Sequence, residues 1–529
     1  MGKKKIVVCD HIHKKGFDLL KKESDIELID ASNIPKGDPL YKVIKDADIV
    51  ITRSPTPIDE QFLNAAKRLK AIVRAGVGVD NVDIDGCSKR GIIVMNVPTA
   101  NTIAAVELTL AHMLSCVRSL PYAHNQLKYD RIWKRENWLG VELKGKKLGI
   151  IGFGNIGSRV GIRAKAFEMD VITYDPYISP QKATDVGVEY TKNFDDILKC
   201  DIITIHTPKN KETINMIDKK EIEKMKDGVI LINCARGGLY NEDALYEGLK
   251  SGKVKFAGID VFEKEPSVDN KLLDLDNVVV TPHLGANTVE SQEKIAIQAA
   301  EQALEAVRGI SYPNALNLPI REDKIPPFVR PYLELTQKIG FLAAQINKGV
   351  YRSIKVITQG DISEFINSLT TFAVVGVLKE SLGDSVNYVN AKYVAKEREV
   401  EIKNKVEPNI SGYKNKVIVK LTTDRDTIEI GGTIFEESVQ RIVEINGFAL
   451  DIEPKGRMIL FKNTDVPGVI GQVGMILAKH NINIADFRLG RDKHGLALAV
   501  IIVDDDVSKQ ILNELESLEA CISVSYAIL

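Results

Sequence analysis

The chain carries only six cysteines in 529 residues, and no two of them form a CxxC pair. Cys9, Cys87, Cys116, Cys200, Cys234 and Cys521 are scattered, which excludes a disulfide framework or a cysteine zinc site as the organising feature. Charge of one sign is also lacking. With a formal net charge of -1, no global field draws the protein to nucleic acid or an acidic membrane, so an anionic ligand must meet a local basic cluster. Long hydrophobic runs are missing too. The longest, "TIAAVELTLAHMLSCV", is interrupted by Glu107 and His112 and fits a buried or interface helix better than a membrane span. The start, "MGKKKIVVCDH", is too short in apolar residues for a signal peptide, and Ile6 stands where myristoylation at Gly2 would need Ser or Thr. These absences lead us to expect a reducing, cytoplasmic compartment, with neither nucleic acid nor membrane as partner.

What is present is length and alternation. Three or four domains are expected for a chain of this size. Short β-rich runs alternate with helical segments through the first three hundred residues, from "KIVVCD" (5–10) and "ADIVIT" (47–52) to "FAGIDVF" (256–262) and "NVVVTPH" (277–283). Continuous apolar runs spaced by helices signal parallel strands in βαβ units. Ten such runs are too many for one sheet. The expected fold class is therefore α/β with two Rossmann-like parallel-sheet domains, joined by a helix from about Asn101 to Leu120 that Pro121 stops. After Leu316, "NLPIREDKIPPFVRP" carries four prolines in fifteen residues and is expected to be a linker. A mixed α/β region follows to about Glu453. The tail from Arg457 gives strand, helix, strand, strand, helix, strand, the ferredoxin-like order.

"LGIIGFGNIGSRV" holds Gly152, Gly154 and Gly157 in GxGxxG spacing, between an apolar strand and a helix-compatible run. In that context the glycines serve a tight turn, close approach of backbone to a pyrophosphate, and helix–strand packing. The pyrophosphate would sit on the amides around Asn155 and Ile156, at the positive end of the helix. The next strand ends in Asp175, placed to take ribose hydroxyls and to repel a 2′-phosphate. NAD is expected over NADP.

Downstream, Arg236, Glu265 and His283 each follow a strand-like run, where a parallel sheet collects them at its carboxyl edge. Oxidation of a 2-hydroxy acid needs a base for the hydroxyl proton as hydride leaves, and a histidine titrates in the right range. A carboxylate beside it would orient the ring and raise its pKa. An arginine would grip the substrate carboxylate with its planar fork. His11 and His13 could share a strand face, but no third ligand stands nearby, and no metal site is expected.

The stretches "RAGVGVDNVD", "GFGNIG", "NCARGGLYNEDAL", "GIDVFEKEP" and "TPHLGANT" resemble the signatures of the D-isomer-specific 2-hydroxyacid dehydrogenases. The resemblance extends over the whole chain. "VNYVNAKYVAKEREVE" (386–401) resembles the intervening domain of the family's long form, and "DVPGVIGQVGMILAKHNINIADF" resembles an ACT regulatory domain. It implies a substrate-binding domain at 1–98 and 288–316, an NAD-binding domain at 99–287, an intervening domain at 317–455 and an ACT domain at 456–529. It also implies that Arg236, Glu265 and His283 are catalytic, with cofactor contacts from Val77, Asn155, Ile156, Asp175, Thr207, Cys234, Ala235, Arg236, Asp260, His283, Leu284, Gly285 and Ala286. Val77 stands where relatives often have threonine, which removes a hydroxyl contact. Arg53, Arg74, Gly76, Asn101 and Arg135 are the implied substrate contacts.

The activity so implied is NAD-dependent oxidation of 3-phospho-D-glycerate to 3-phosphohydroxypyruvate, the first step of the phosphorylated serine pathway. Two alternatives stay open: a dehydrogenase of the glycerate or glyoxylate type, and a non-catalytic NAD(H)-sensing protein. In the tail, Asp465 precedes Pro467 and Gly468 at a helix mouth, where amides can meet a carboxylate and Asp465 an ammonium. By the ACT resemblance, Asn463, Asp465 and Asn483 would bind L-serine across paired tails in a homodimer or homotetramer.

Overall fold

The computed structural model describes residues 3–319, 325–408 and 412–529; Gly2 and part of the proline-rich stretch (320–324) lie outside these ranges. The first sheet is parallel, with β1 (Lys4–Val8), β2 (Ile26–Asp30), β3 (Ile49–Thr52), β4 (Ala71–Arg74) and β5 (Ile93–Asn96) in the order β2-β1-β3-β4-β5. Strands β3 and β5 are buried throughout, which is why they read as unbroken apolar runs. The order reverses between β1 and β3, and the crevice outside their carboxyl ends is where such a sheet takes a ligand. The helix Val289–Arg308 returns from far along the chain to cover this sheet, burying Ile295, Ala299 and Ala303 with Ile6, Ile49 and Val73.

The second sheet is also parallel: β6 (Lys147–Ile151), β7 (Asp170–Tyr174), β8 (Glu189–Thr191), β9 (Ile202–Ile205), β10 (Val229–Asn233), β11 (Val254–Ile259) and β12 (Val278–Val280), ordered β12-β11-β10-β9-β6-β7-β8. Its order reverses between β6 and β9, beside the glycine-rich turn. All ten anticipated strands are present. The two that were not anticipated, β2 and β8, are edge strands with half-polar sequences, which hide the apolar signature. The anticipated joining helix runs Thr102–Arg118, and Ser119 in the left-handed region (φ 50°) ends it. Pro121 does not stop that helix; it sits in the first turn of a second one, Leu120–Lys128.

A mixed sheet follows: β13 (Tyr351–Gln359), β14 (Glu401–Val406), β15 (Lys416–Thr423), β16 (Thr427–Phe435), β17 (Val439–Ile445) and β18 (Phe448–Ile452), ordered β14-β13-β15-β16-β17-β18. Helices Arg330–Ile346 and Ile366–Leu382 pack together at very short range. A Cβ at Gly340 would lie 2.5 Å from the Ala373 carbonyl oxygen, and one at Gly376 would lie 2.1 Å from that of Gln337. The second helix belongs to a segment, Asp361–Ser385, that is long and apolar enough to cross a membrane; here its Leu369, Ala373 and Val377 are in the core. The linker is shorter than its prolines suggested. Asn317 hydrogen-bonds back to Ile92 and Val94 of the first unit, and Pro331 lies in the first turn of the helix that opens the third.

The tail is the expected ferredoxin-like sandwich: β19 (Arg457–Thr464), β20 (Ile484–Arg491), β21 (Leu496–Val503) and β22 (Cys521–Ile528), ordered β20-β21-β19-β22. Its two helices cover one face, over Ile459, Phe461 and Ile501. The other face, with Met458, Leu460, Val500 and Ala527, is continuous with the core of the preceding unit. One hydrophobic core therefore runs through both.

Candidate active site

Strand geometry places the site. The segments that follow β6, β9, β10, β11 and β12 all leave the carboxyl edge of the second sheet, and those that follow β1, β3 and β4 leave the carboxyl edge of the first. Two adjoining cavities lie between these edges. The larger, about 740 Å³, is lined by His11, Arg53, Arg74, Arg236, Glu265 and His283 among others. The smaller, about 360 Å³, is lined by Asn155, Ile156, Thr207, Cys234 and Ala235, with Arg236 and His283 shared.

His283 Nδ1 lies 2.7 Å from Glu265 Oε2, and the Phe262 amide donates to the other carboxylate oxygen at 3.0 Å. Burial pushes the Glu265 carboxyl up, but the hydrogen bonds from His283 and Phe262 and the nearby Arg236 outweigh it and hold it below its usual range. With Nδ1 so engaged, Nε2 is the ring atom left for a substrate. His283 adopts φ 54°, a left-handed conformation that costs energy and must be held. Asp260 holds it. This fully buried carboxylate accepts from Thr281 Oγ1 (2.6 Å) and from the amides of Leu284 (2.7 Å) and Gly285 (3.0 Å). Asp260 was expected to touch the cofactor; its side chain instead organises the loop that presents His283.

Arg236 rises from a turn pinned by Asn233, whose side chain donates to the Arg236 carbonyl (2.9 Å) and accepts from the Ala235 amide (3.0 Å). Gly237 packs against the next loop so closely that a Cβ would fall 1.8 Å from the Phe262 oxygen. Arg74 bonds to Ser54 Oγ at 2.7 Å, and its buried Nε has no partner among the described residues. Burial, with Arg236 and Arg53 close by, lowers Arg74 to about 10. Gly76 leaves room for that guanidinium, since a Cβ there would overlap Arg74 Nη1 at 1.7 Å. Arg53 lines the same cavity and donates to the His11 carbonyl, while burial lowers its pKa as well. Three guanidinium groups facing one hollow describe a receptor for an acid with more than one negative charge.

The glycine turn and its neighbours show the features that NAD needs. Gly152 has φ 88°, and a Cβ there would press on the His206 carbonyl at 2.9 Å. At Gly157 a Cβ would fall 2.1 Å from the Gly152 oxygen, whereas one at Gly154 would meet nothing within 4 Å. The turn thus packs tightly at two glycines and leaves space at the third, where a phosphate can approach. The helix Asn155–Ala166 starts there without a side-chain cap. Thr207 Oγ1, on the cavity wall, is buried and has no partner among the described residues, and Asn101 Oδ1 is in the same condition where the cavities join. Asp175 accepts from the Phe153 amide at 2.8 Å, which ties it to the turn. These residues fit a dinucleotide. Val77 lines both cavities, Leu284 the larger, Gly285 the smaller and Ala286 both.

Several expected or overlooked residues differ from the sequence reading. Arg135 lies on an exposed 3₁₀ turn, Arg135–Trp138, and lines neither cavity. His13 caps the first helix, while His11 lines the larger cavity. Cys234 is buried, with its thiol pushed well up by that burial, which suits a packing role. Asp80, Asn233 and His206 are wall or support residues to which the sequence assigned no role, although the first two lie within quoted motifs.

In the tail, Asn463 and Asp465 lie at the end of β19 next to β21's start, where Asp465 pairs with Arg491 at 3.1 Å. Asn483 lies at the opposite end of the sheet, bonded to Asp504 at 2.7 Å. Each strand there has eight residues, so the two groups are roughly 25 Å apart. One chain alone does not bring them together.

The comparisons with known proteins agree with this arrangement. Residues 110–285 match the model for the D-isomer specific 2-hydroxyacid dehydrogenase NAD binding domain, residues 328–446 that for the D-3-phosphoglycerate dehydrogenase intervening domain, and residues 457–520 that for the ACT domain. The D-3-phosphoglycerate dehydrogenase of Bacillus subtilis is 40% identical across 98% of both chains. The chain belongs to the D-3-phosphoglycerate dehydrogenase family. The relative from Archaeoglobus fulgidus, of the same name, is 38% identical over 99% of each chain. Among solved structures, D-lactate dehydrogenase from Aquifex aeolicus, complexed with NAD and lactic acid, is 32% identical with a TM-score of 0.51, covering 58% of this chain and 96% of that one. Membership of this family makes the protein an NAD-dependent oxidoreductase with a regulatory tail.

Proposed function

We propose that the protein oxidises 3-phospho-D-glycerate to 3-phosphohydroxypyruvate, the entry to the phosphorylated route to serine. The observation that carries this reading is the His283–Glu265 pair at 2.7 Å, set beside Arg236 where the two cavities meet. NAD, when bound, supplies the hydride acceptor. Residues Asn155 and Ile156 would hold its pyrophosphate, Asp175 its ribose, and Thr207 and Ala235 its inner half.

Arg236 grips the C1 carboxylate and polarises the carbon beside it. His283 Nε2 takes the C2 hydroxyl proton as hydride leaves C2, and Glu265 stabilises the imidazolium that results. In the reverse direction the same imidazolium returns the proton. Arg53 and Arg74 receive the phosphate, with the Gly76 segment offering amides. The domain ranges 1–98 with 288–316, 99–287, 317–455 and 456–529 then divide substrate, cofactor, intervening and effector work. Steady-state rates with NAD and 3-phosphoglycerate, set against glycerate and glyoxylate, test the assignment. A kcat/KM for glycerate equal to that for 3-phosphoglycerate overturns it.

Regulation and assembly belong to the same reading. L-Serine is the effector, held by Asn463 and Asp465 of one tail and Asn483 of another, so the site needs two chains. Leu120, Tyr129, Trp133 and Leu139 are exposed on the cofactor unit, as are Ile470 and Met475 on the tail. These exposed apolar side chains support a homodimer or homotetramer. Arg135 lies in the same exposed stretch as Trp133, and its part in substrate binding is played towards a partner chain. The six free thiols, five of them buried, suit a cytoplasmic setting.

A further inference from the structure

Arg236 is tied to both halves of the cleft. Its Nη1 donates to the Ala235 carbonyl at 2.7 Å, within its own turn. Its Nε lies 3.2 Å from Asp80 Oδ2, and Asp80 comes from the loop after β4, in the other sheet's territory. Asp80 and Arg236 each line both cavities, so this ion pair stands at their junction. Gly78 is part of the arrangement, since a Cβ there would lie 2.5 Å from Arg236 Nη2 and 3.0 Å from Asp80 Oδ2.

The Asp80 ion pair at Nε and the Ala235 hydrogen bond at Nη1 restrain the orientation of the guanidinium. A planar fork so held is ready for fork-to-fork bonding with a substrate carboxylate. Asp80 also offsets the mutual repulsion of Arg53, Arg74 and Arg236, which would otherwise push the arginine side chains apart before substrate arrives.

We infer that Asp80 is a positioning residue for the reaction: it aims Arg236 at the substrate carboxylate and fastens the substrate-side loop to the cofactor side. The inference rests on Arg236 being the carboxylate-binding group. Asp80 makes no proton transfer. Its pair is part-exposed, with side-chain exposures of 27% for Arg236 and 62% for Asp80, so its effect is moderate and grows as ligands cover it.

The test is a set of variants of the full-length enzyme, assayed with phosphohydroxypyruvate and NADH. Asp80→Ala should raise KM for the keto acid about fivefold and lower kcat, while NADH affinity and the shape of the pH profile stay as in the parent. Asp80→Asn keeps an acceptor for Nε and should recover most of the KM. In Arg236→Ala, adding Asp80→Ala should cost nothing more, because its target is gone. A lowered KM in Asp80→Ala would mean that Asp80 competes with substrate for Arg236 and would overturn the inference. So would an unchanged KM alongside a lowered Tm, the mark of a merely structural pair. An Arg236→Ala enzyme with the parent's KM would instead sink the carboxylate-binding assignment itself, which separates the two failures.

Discussion

The cleft between the sheets and the regulatory tail solve the problem of gathering distant residues in opposite ways. In the cleft, Arg236, Glu265 and His283 are up to 47 positions apart, yet a single chain unites them because parallel strands all deliver their carboxyl ends to one edge. In the tail, Asp465 and Asn483 are only 18 positions apart and lie at opposite ends of the strands, because an intervening helix carries the chain back before the next strand begins. Closeness in sequence is thus a poor guide to closeness in space. The comparison teaches that Arg236, Glu265 and His283 gather within one chain, whereas Asp465 and Asn483 meet only where two chains pair.

The sharpest way to break the first half of that statement is at the base. His283→Ala should lower turnover by about three orders of magnitude, while NADH titrated by fluorescence binds within a few-fold of the parent. A variant that kept its turnover would place the proton transfer elsewhere. Next in size, Arg236→Lys should cut kcat/KM about a hundredfold, since an ammonium cannot replace the fork, and steady-state kinetics would read the loss.

The second half is tested by mixing. Asp465→Ala and Asn483→Ala should each raise the serine concentration for half-inhibition at least tenfold, relative to that variant's own uninhibited rate. Hybrids of the two variant chains carry one intact site of the two, and should regain part of the inhibition. Hybrids no more sensitive than either parent variant would show that each tail binds alone. Smaller still is the cofactor preference: Asp175→Ala should narrow the NAD over NADP ratio by about tenfold, as a ribose contact and a repulsion vanish together.

The last effect is on stability rather than rate, a pH dependence inside the cofactor wall. Burial lowers His206 to about 4. Unfolded, it would titrate near its ordinary value of about 6.5. The folded form is therefore favoured above that value, and this contribution is lost as pH falls from about 6.5 towards 4. His206→Gln should flatten the decline in unfolding free energy across that window, measured by denaturant titration at each pH, by ~3 kcal/mol at most. An equal decline in both proteins would point to other groups.

Much of this architecture was legible beforehand because the signals were local. The glycine turn, the acid one strand later and the buried strands each announce themselves within a dozen residues. The misses share a different cause. Strands β2 and β8 were hidden because edge positions tolerate polar residues. Asp80 and Asn233 lie inside signature stretches without a chemical role that the stretch itself reveals, and the meaning of Asp80 depends on a partner 156 positions away. Asp260 was noticed, but its three inward hydrogen bonds could not be inferred from a carboxylate in a loop. Pro121 misled in the same way, since a proline that follows one helix can equally open the next.

The shared core beneath the tail has a practical consequence for anyone trying to remove the ACT domain. Excising residues after Gly456 would not lift off a detachable cap. It would strip Met458, Leu460, Val500 and Ala527 from the hydrophobic interior they complete, and leave bare the apolar surface of helix Arg330–Ile346 and its sheet. A shortened protein would be sticky as well as unregulated, so its kinetics would mix two injuries. Desensitisation is better sought by changing single side chains on the exposed rim than by cutting the chain.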